Sequence, residues 1–336
     1  MAKRRLTQRQ LENQQKVQHA RIERAKKREQ SLDEQLTSHS LGPEQIGLLI
    51  AHYGANLVVE AEDGTLHHCA QRQNLGSIVT GDRIIWRAFP DGSGVIVARQ
   101  PRTSELGRPD QNGLIRLMAA NVDRIVIIVS PSPPPLATTI DRYLVAANWL
   151  NIEPILVLNK FDLIPSASAS PLIELVNSYE KLGHQVVTVS TTSKQGLKNL
   201  QTHINHLTSV VVGQSGVGKS SLIAALIPNA TIQIGAISEA SGKGRHTTTT
   251  AMLYHLPEGG NIIDSPGIRE FGLWHLTREV LEKGFTEFVP LIGQCKFRDC
   301  YHEKEPGCAI QAAVAEGHIA EWRLKHFHLL AKNLAG

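Results

Sequence analysis

A doubly wound α/β domain, preceded by a small closed β-barrel and followed by a metal-binding helical module, is the fold class this sequence predicts. Three observations predict it. From about residue 124 to residue 227, β-branched runs alternate with helix-forming stretches and end on a glycine-rich loop. Five short alternating runs crowd into residues 46–99. Three cysteines and a histidine fall within fourteen residues, at 295–308.

The 336 residues exceed one ordinary core, so two to three domains are expected. Hydrophobic residues at 41% and charged residues at 20% are those of a globular chain, and no apolar run approaches the roughly 20 residues a bilayer-spanning helix needs. The N-terminus has no apolar signal segment. A cytoplasmic protein with no membrane partner is expected, its four cysteines reduced and more suited to metal than to disulfides.

Charge is unevenly placed. The first 30 residues hold ten Lys and Arg against three Glu, which leaves the remainder of the +4 chain at −3. A basic arm of this kind points to an anionic polymer. Residues 1–40 are read as that arm, flexible because its apolar residues are too sparse to build a core.

Residues 41–103 are read as an OB-fold barrel. The runs Ile46–His52, Asn56–Glu60, Leu66–Ala70, Asp82–Ala88 and Gly94–Arg99 are separated by turn residues such as Asp63-Gly64, Gly81 and Pro90-Asp91-Gly92. Such barrels bind oligonucleotides across one face, which Arg72, Arg83 and Arg87 could line; a barrel that only packs on its neighbour is the alternative. Cys69, far from the other cysteines, reads as core. Residues 100–120, with Pro101, Gly107, Arg108-Pro109 and Asn112-Gly113, read as a linker.

Residues 104–273 are read as the nucleotide domain. Strand Arg124–Val129 opens it, followed by helix Thr139–Leu150, strand Ile155–Leu158, helix Leu172–Leu182, strand Val186–Ser190, helix Leu197–Leu207 and strand Val210–Val212. Then comes Gly213-Gln214-Ser215-Gly216-Val217-Gly218-Lys219-Ser220-Ser221, of pattern G-x-x-x-x-G-K-S, and an apolar helix. Strand, glycine loop and helix are the context of a P-loop, whose inward N–H groups and helix dipole hold phosphate. Lys219 is placed on the β- and γ-phosphates and the Ser220 hydroxyl on Mg²⁺.

At the end of an earlier strand stands Asn159-Lys160-Phe161-Asp162. A carboxylate at Asp162 accepts from both N1–H and the exocyclic amine of guanine, a donor pair adenine lacks. A site so built rejects the wrong base by roughly 10⁴-fold. Asn159 braces base and P-loop, the Lys160 stem covers the ring, and Ser190-Thr191 supplies a backbone N–H to the guanine carbonyl. Downstream, Gly242–Thr250 is small, polar and glycine-hinged, and Asn261–Gly267 ends in D-x-P-G. Asp264 is placed on the water shell of Mg²⁺ and the Gly267 N–H at the γ-phosphate.

The guanine motif therefore precedes the P-loop, a circular permutation of the usual GTPase order. With the barrel before it and the metal motif after it, the chain over roughly residues 40–330 closely resembles the RsgA family of small-ribosomal-subunit biogenesis GTPases. The resemblance implies a GTP phosphohydrolase that binds the maturing 30S subunit and its 16S rRNA late in assembly. It also implies stimulation by that subunit and departure after hydrolysis in the GDP form. By the same resemblance Thr248 binds Mg²⁺ and His246 assists hydrolysis. Ile268 stands where Ras-like enzymes keep a water-orienting Gln, so turnover of the isolated chain is expected to be slow; Arg245 could instead stabilise the phosphoryl group. The alternative is an RNA-binding GTP switch serving another ribonucleoprotein, with hydrolysis incidental.

Residues 274–336 are read as the zinc module. Cys295-x4-Cys300-x-His302-x5-Cys308 suits one closed tetrahedral Zn²⁺, structural because no position is left for water. Replacing Cys300 is expected to unfold this module and to leave GTP binding to the remaining domain. Helices Ala309–Glu316 and Ile319–Leu334 follow, where Arg323, Lys325 and Lys332 either face RNA or are simply solvated. A monomer is the default.

Overall fold

The computed structural model describes residues 41–53, 56–72, 75–109, 114–136, 138–164, 170–228, 251–264 and 277–334. The basic arm lies outside the described residues.

The alternating runs of the first domain become β1 (Glu44–Tyr53), β2 (Asn56–Ala61), β3 (Leu66–Gln71), β4 (Arg83–Ala88) and β5 (Gly94–Arg99). Their order is β1-β2-β3-β5-β4, and β4 returns to pair with β1, which closes the barrel. β3 and β5 run parallel, while the other four pairings are antiparallel. This closure is the OB-like topology the strand count predicted. Alternate residues point inward, so Leu49, Leu57, Val59, Ile84, Trp86 and Ile96 fill the interior. Cys69 joins them, and burial pushes its thiol up to about 12. Of the three arginines expected on a binding face, Arg72 and Arg83 are exposed. Arg87 is not free: its guanidinium donates to the carbonyls of Gly42 (2.7 Å) and Leu41 (3.3 Å) and holds the entry of β1.

The expected linker at 100–120 contains a hairpin, β6 (Glu105–Pro109) paired antiparallel with β7 (Ile115–Ala120). Glycine and proline in that stretch mask the pattern, because Gly107 sits at a register shift and Pro109 at a strand end. The Asn112-Gly113 pair was the available hairpin signal. Just before it, Arg102 reaches back to the barrel with a bidentate pair on the fully buried Asp82 (2.7 and 2.8 Å).

The α/β domain follows in the predicted alternation. β8 (Arg124–Val129), α1 (Thr139–Trp149), β9 (Glu153–Leu158), α2 (Pro171–Lys181), β10 (Gln185–Thr188), α3 (Leu197–Ile204), β11 (Thr208–Val212) and α4 (Lys219–Leu226) run in chain order. After the segment 229–250 come β12 (Met252–His255) and β13 (Asn261–Asp264). The sheet order is β10-β9-β8-β11-β13-β12, parallel except for the edge strand β12. β8 is buried on both faces, hence its unbroken Ile125–Val129 run.

β12 would be an open edge, but the barrel covers it. Ala51 of β1 pairs with Met252, and a register shift between Leu49 and Ala51 lets one strand serve both domains. The buried Thr80 hydroxyl donates to the Ala251 carbonyl (3.0 Å). His255 Nε2 lies 2.7 Å from Glu60 Oε2 across the same junction, and its Nδ1 lies 2.8 Å from Asn261 Oδ1. The hydrogen bond to the Glu60 carboxylate raises the His255 pKa. A raised folded-state value stabilises the fold below the ordinary histidine value of about 6.5 and is lost as pH rises through the raised one. Melting temperature should therefore fall more between pH 6 and pH 8 in the wild type than in Glu60→Gln, and equal falls would exclude this junction as the cause.

The C-terminal module is built from α5 (Arg278–Gly284), α6 (Ala309–Ala315) and α7 (Glu321–Leu334) around Phe285, Phe288 and Phe327. The three rings lie 5.1–5.6 Å apart, aromatic contacts each worth about 0.5–1.5 kcal/mol beyond area burial. Val145 of α1 belongs to this same core. Arg323 does not face RNA. It is 2% exposed, lies 4.3 Å over the Phe285 ring, and pairs with Asp141 of α1 and with Glu287. Lys325 is exposed and pairs with Glu321 at 2.8 Å.

Candidate functional site

Four strands of the α/β domain end at one edge, and each delivers a motif there. β11 runs into Gly213–Ser221, β9 into Asn159–Asp162, β10 into Ser190-Thr191, and β13 ends on Asp264. Carboxyl ends of parallel strands form the ligand crevice of open α/β sheets.

The glycine loop is closely fitted. Gly213 has φ +139°, and a Cβ there would stand 2.4 Å from the Ile128 carbonyl oxygen. Gly218 has φ +96°, and a Cβ there would stand 2.4 Å from Asn159 Nδ2. Only glycine allows the second approach, which is the contact that joins the two motifs. Asn159 is fully buried, and its Nδ2 donates to the Val217 carbonyl at 2.9 Å. Lys160 takes a left-handed φ of 58°, and its Nζ donates to Ser132 O (2.6 Å) and Gly216 O (2.7 Å). Two segments 58 residues apart in the chain thus become one rigid cradle.

Lys219 is 6% exposed, with Nζ donating to the carbonyls of Gly213 (2.7 Å) and Gln214. Ser220 and Ser221 open α4 and are exposed, as is Ser215 on the loop. Asp162 sits exposed in a single 3₁₀ turn, Phe161–Leu163, which the Phe161 N–H ties to Val189 O at 3.2 Å. Ser190 is buried, and its own N–H donates to Gln195 O at 3.0 Å. That amide is engaged, so a donor from this turn to a bound base falls to Thr191 or beyond. His246, Thr248 and Gly267 lie outside the described residues.

One contributor escaped the sequence reading. The loop leaving β8, Ser130-Pro131-Ser132-Pro133, leans over the glycine loop: Ser132 supplies a carbonyl to Lys160, and Pro133 lies 3.3 Å from the Cβ position of Gly216. A proline-rich run at the end of a central strand, between two motif-bearing strands, was the signal that could have found it.

The second site is the cysteine cluster. The ligating atoms of Cys295, Cys300, His302 and Cys308 all lie within 4.8 Å of one another. Cys295 Sγ is 3.6 Å from His302 Nδ1 and 3.9 Å from Cys308 Sγ, and His302 Nδ1 is 3.3 Å from Cys308 Sγ. A tetrahedron with ligand bonds of about 2.0–2.3 Å has edges of roughly 3.3–3.8 Å, so the group fits a single tetrahedral ion. His302 Nε2 lies 3.3 Å from Glu282 Oε1, which orients the ring. The Ala309 and Gln311 amides donate to the Cys295 and Cys308 sulfurs, both at 3.4 Å. Between the ligands, the amides of Tyr301, Glu303 and Lys304 converge on the Glu305 carboxylate; these bonds, Tyr301's foremost, hold it at about 2.

Comparison with known proteins places these features. A family model described as RsgA GTPase matches residues 99–274. The chain is 52% identical over 336 residues to the small ribosomal subunit biogenesis GTPase RsgA of Azotobacter vinelandii, covering 98% of each chain. The protein of the same description in Hahella chejuensis is 49% identical over 338 residues, covering 99% of this chain and 97% of that one. Among solved structures, YjeQ from Thermotoga maritima is 31% identical with a TM-score of 0.71, covering 88% of this chain and 99% of that one. YloQ, described as a circularly permuted GTPase, is 27% identical with a TM-score of 0.68, covering 89% and 97%.

Proposed function

The chain belongs to the RsgA GTPase family, and from that premise we propose that it hydrolyses GTP in the late maturation of the 30S ribosomal subunit, binding the subunit in the GTP form and leaving in the GDP form. The observation that carries the reading is the Asn159–Val217 hydrogen bond. It builds a guanine-type motif and a phosphate loop into one pocket although they occur in permuted order.

Within that pocket each residue has a role. Asp162 pairs with the guanine edge, Asn159 and the Lys160 stem hold the base from below, and the Ser190-Thr191 turn addresses its carbonyl. Gly213 to Ser221 wrap the phosphates with backbone N–H groups, and Lys219 exchanges its two loop carbonyls for phosphate oxygens. Among the described residues the buried Asn159 Oδ1 and Gln214 Oε1 have no hydrogen-bond partner, a polar demand that suits a ligand-binding pocket. Mg²⁺ fits the hard oxygen donors here: the Ser220 hydroxyl opens α4 and the Asp264 carboxylate ends the neighbouring strand, with Thr248 as the further ligand. When bound it supplies charge for the transferring phosphoryl group. Gly267 meets the γ-phosphate, and His246 assists hydrolysis.

The C-terminal cluster holds Zn²⁺, as its soft donor set and edge lengths suit. The barrel and this module present surfaces to 16S rRNA, read through shape and phosphates. We place the protein in the cytoplasm as a monomer, divided into an arm at 1–40, a barrel at 41–103, a GTPase domain at 104–273 and a zinc module at 274–336. No helix among the described residues is long and apolar enough to cross a membrane.

GTP turnover measured with and without purified 30S subunits tests the reading, and strong stimulation is the expected result. His246→Ala should lose most of the stimulated rate while GTP affinity holds. A flat rate on adding subunits would favour an RNA-binding switch with incidental hydrolysis, and unchanged stimulated turnover in the variant would remove His246 from the mechanism.

A further inference from the structure

Strand β13 carries Asp264 as its last residue, and the strand opposite that residue is held by the barrel. The parallel register of β13 with β11 ends at Val210 and Ile263, one residue short of Asp264. The antiparallel register with β12 reaches it, with Met252 directly opposite Asp264. Met252 begins the four-residue β12, and on its other side it pairs with Ala51 of β1. Ala51, Met252 and Asp264 therefore stand side by side across three strands, from the barrel to the crevice edge.

A register pair alone is a weak hold on the end of a short strand, because strand ends fray unless tied down. The barrel adds a second hold. Thr80, 1% exposed, donates its hydroxyl at 3.0 Å to the carbonyl of Ala251, the residue before Met252. Gly81 lies against β13 itself: with φ +93°, a Cβ there would stand 3.3 Å from Ile263 Cδ1 and 2.3 Å from the Ala120 carbonyl oxygen. The turn that bears these two residues is fixed from both sides. The Gly81 N–H donates to Leu49 O at 2.8 Å, and the Ala120 N–H to Thr80 O at 3.0 Å. Asn121 Nδ2 donates to Gly81 O at 2.8 Å, and the next residue, Asp82, is clamped by Arg102. The Thr80 hydroxyl thus sits on a rigid mount.

We propose that Thr80 is a positioning residue for Mg²⁺-dependent nucleotide binding: its hydroxyl holds the start of β12 against the barrel, and β12 in turn holds Asp264 where its carboxylate meets the water shell of the ion. The inference rests on the GTPase reading and adds a barrel residue to the support of that site. By linkage, binding that uses Asp264 also tightens β12 and the barrel turn.

The test uses full-length protein and a fluorescent non-hydrolysable GTP analogue, with affinity followed as Mg²⁺ is titrated. Thr80→Val keeps the side-chain shape and removes the donor, whereas Thr80→Ser keeps the donor. Thr80→Val should raise the Mg²⁺ midpoint about five- to tenfold and leave affinity in EDTA at the wild-type value. Thr80→Ser should restore the midpoint. Glu60→Ala loosens the same junction at the far end of β12, where His255 pairs with Asn261, and should leave the midpoint in place. A Thr80→Val midpoint equal to that of wild type overturns the proposal, as does an equal shift in Glu60→Ala or a loss of affinity that persists in EDTA. If Thr80→Val does not fold, amide hydrogen exchange on the wild-type analogue complex replaces it. Adding Mg²⁺ should then slow exchange at Met252 and Gly81, and rates that ignore Mg²⁺ overturn the proposal. Wild-type protein that binds no guanine nucleotide sinks the GTPase reading itself; wild type and Thr80→Val responding alike to Mg²⁺ sink only the role of Thr80.

Discussion

Asp162→Asn should lower GTP affinity by roughly 10²–10⁴-fold and shift preference to xanthosine triphosphate, because two charge-assisted hydrogen bonds at about 1.5–3 kcal/mol each are lost together. Asp162 stands exposed in its 3₁₀ turn, so the substitution costs the fold little. What changes is the pattern of donors. An ionised carboxylate only accepts, and guanine offers it N1–H and an exocyclic amine. An amide turns one donor of its own toward that edge, where it opposes guanine and suits the C2 carbonyl of xanthine. Asn159 remains joined to Val217, so the phosphate side of the pocket stays assembled. Calorimetric titration with GTP, ATP and xanthosine triphosphate decides the matter. A variant that keeps wild-type GTP affinity would remove Asp162 from base recognition.

Loss of the C-terminal metal should have the second large effect. Structural zinc contributes apparent free energies of about 10–16 kcal/mol in small zinc-finger peptides, as much as the roughly 5–15 kcal/mol that keeps a whole domain folded. Among the described residues the module has helices of 7, 7 and 14 residues around a small aromatic core, less apolar burial than a domain of ordinary size relies on. Cys300→Ser, or a strong chelator, should therefore abolish stoichiometric zinc, open the Phe285, Phe288 and Phe327 cluster and make the α6–α7 region sensitive to protease. The sequence suggested that this damage would stop at the module's border. The shared core argues otherwise, since Val145 loses its neighbours and Asp141 its buried arginine. Limited proteolysis and zinc analysis on the same sample give the test. Metal-free protein that keeps a protease-resistant module would show that the ion is not what holds it.

The local patterns were legible because their causes are local. Arg124–Val129 reads as a buried strand from its unbroken apolar run and is one. The barrel strands show in their alternation, within one to two residues at each end. The glycine loop and the cysteine spacing carry their chemistry in adjacent residues. Weaker local signals failed. The 105–120 hairpin hid behind Gly107 and Pro109, and β12, only four residues long, gave no periodic signal to read. Arg323 looked like one more basic residue on an exposed helix, because nothing near it in sequence announces Asp141, 182 positions away.

Residue type and spacing alone determined that this chain holds a phosphate loop, a guanine-type motif in permuted order, a five-stranded barrel and a cysteine–histidine cluster. Only the tertiary structure decided which of these share walls. Asn159 meets Val217, Thr80 and Glu60 seal the barrel against β12, and Arg323 is buried against α1. Spacing along a chain fixes what a segment can bind. Which distant segments lose water together depends on how the whole sheet and its helices pack, and no single stretch of sequence carries that.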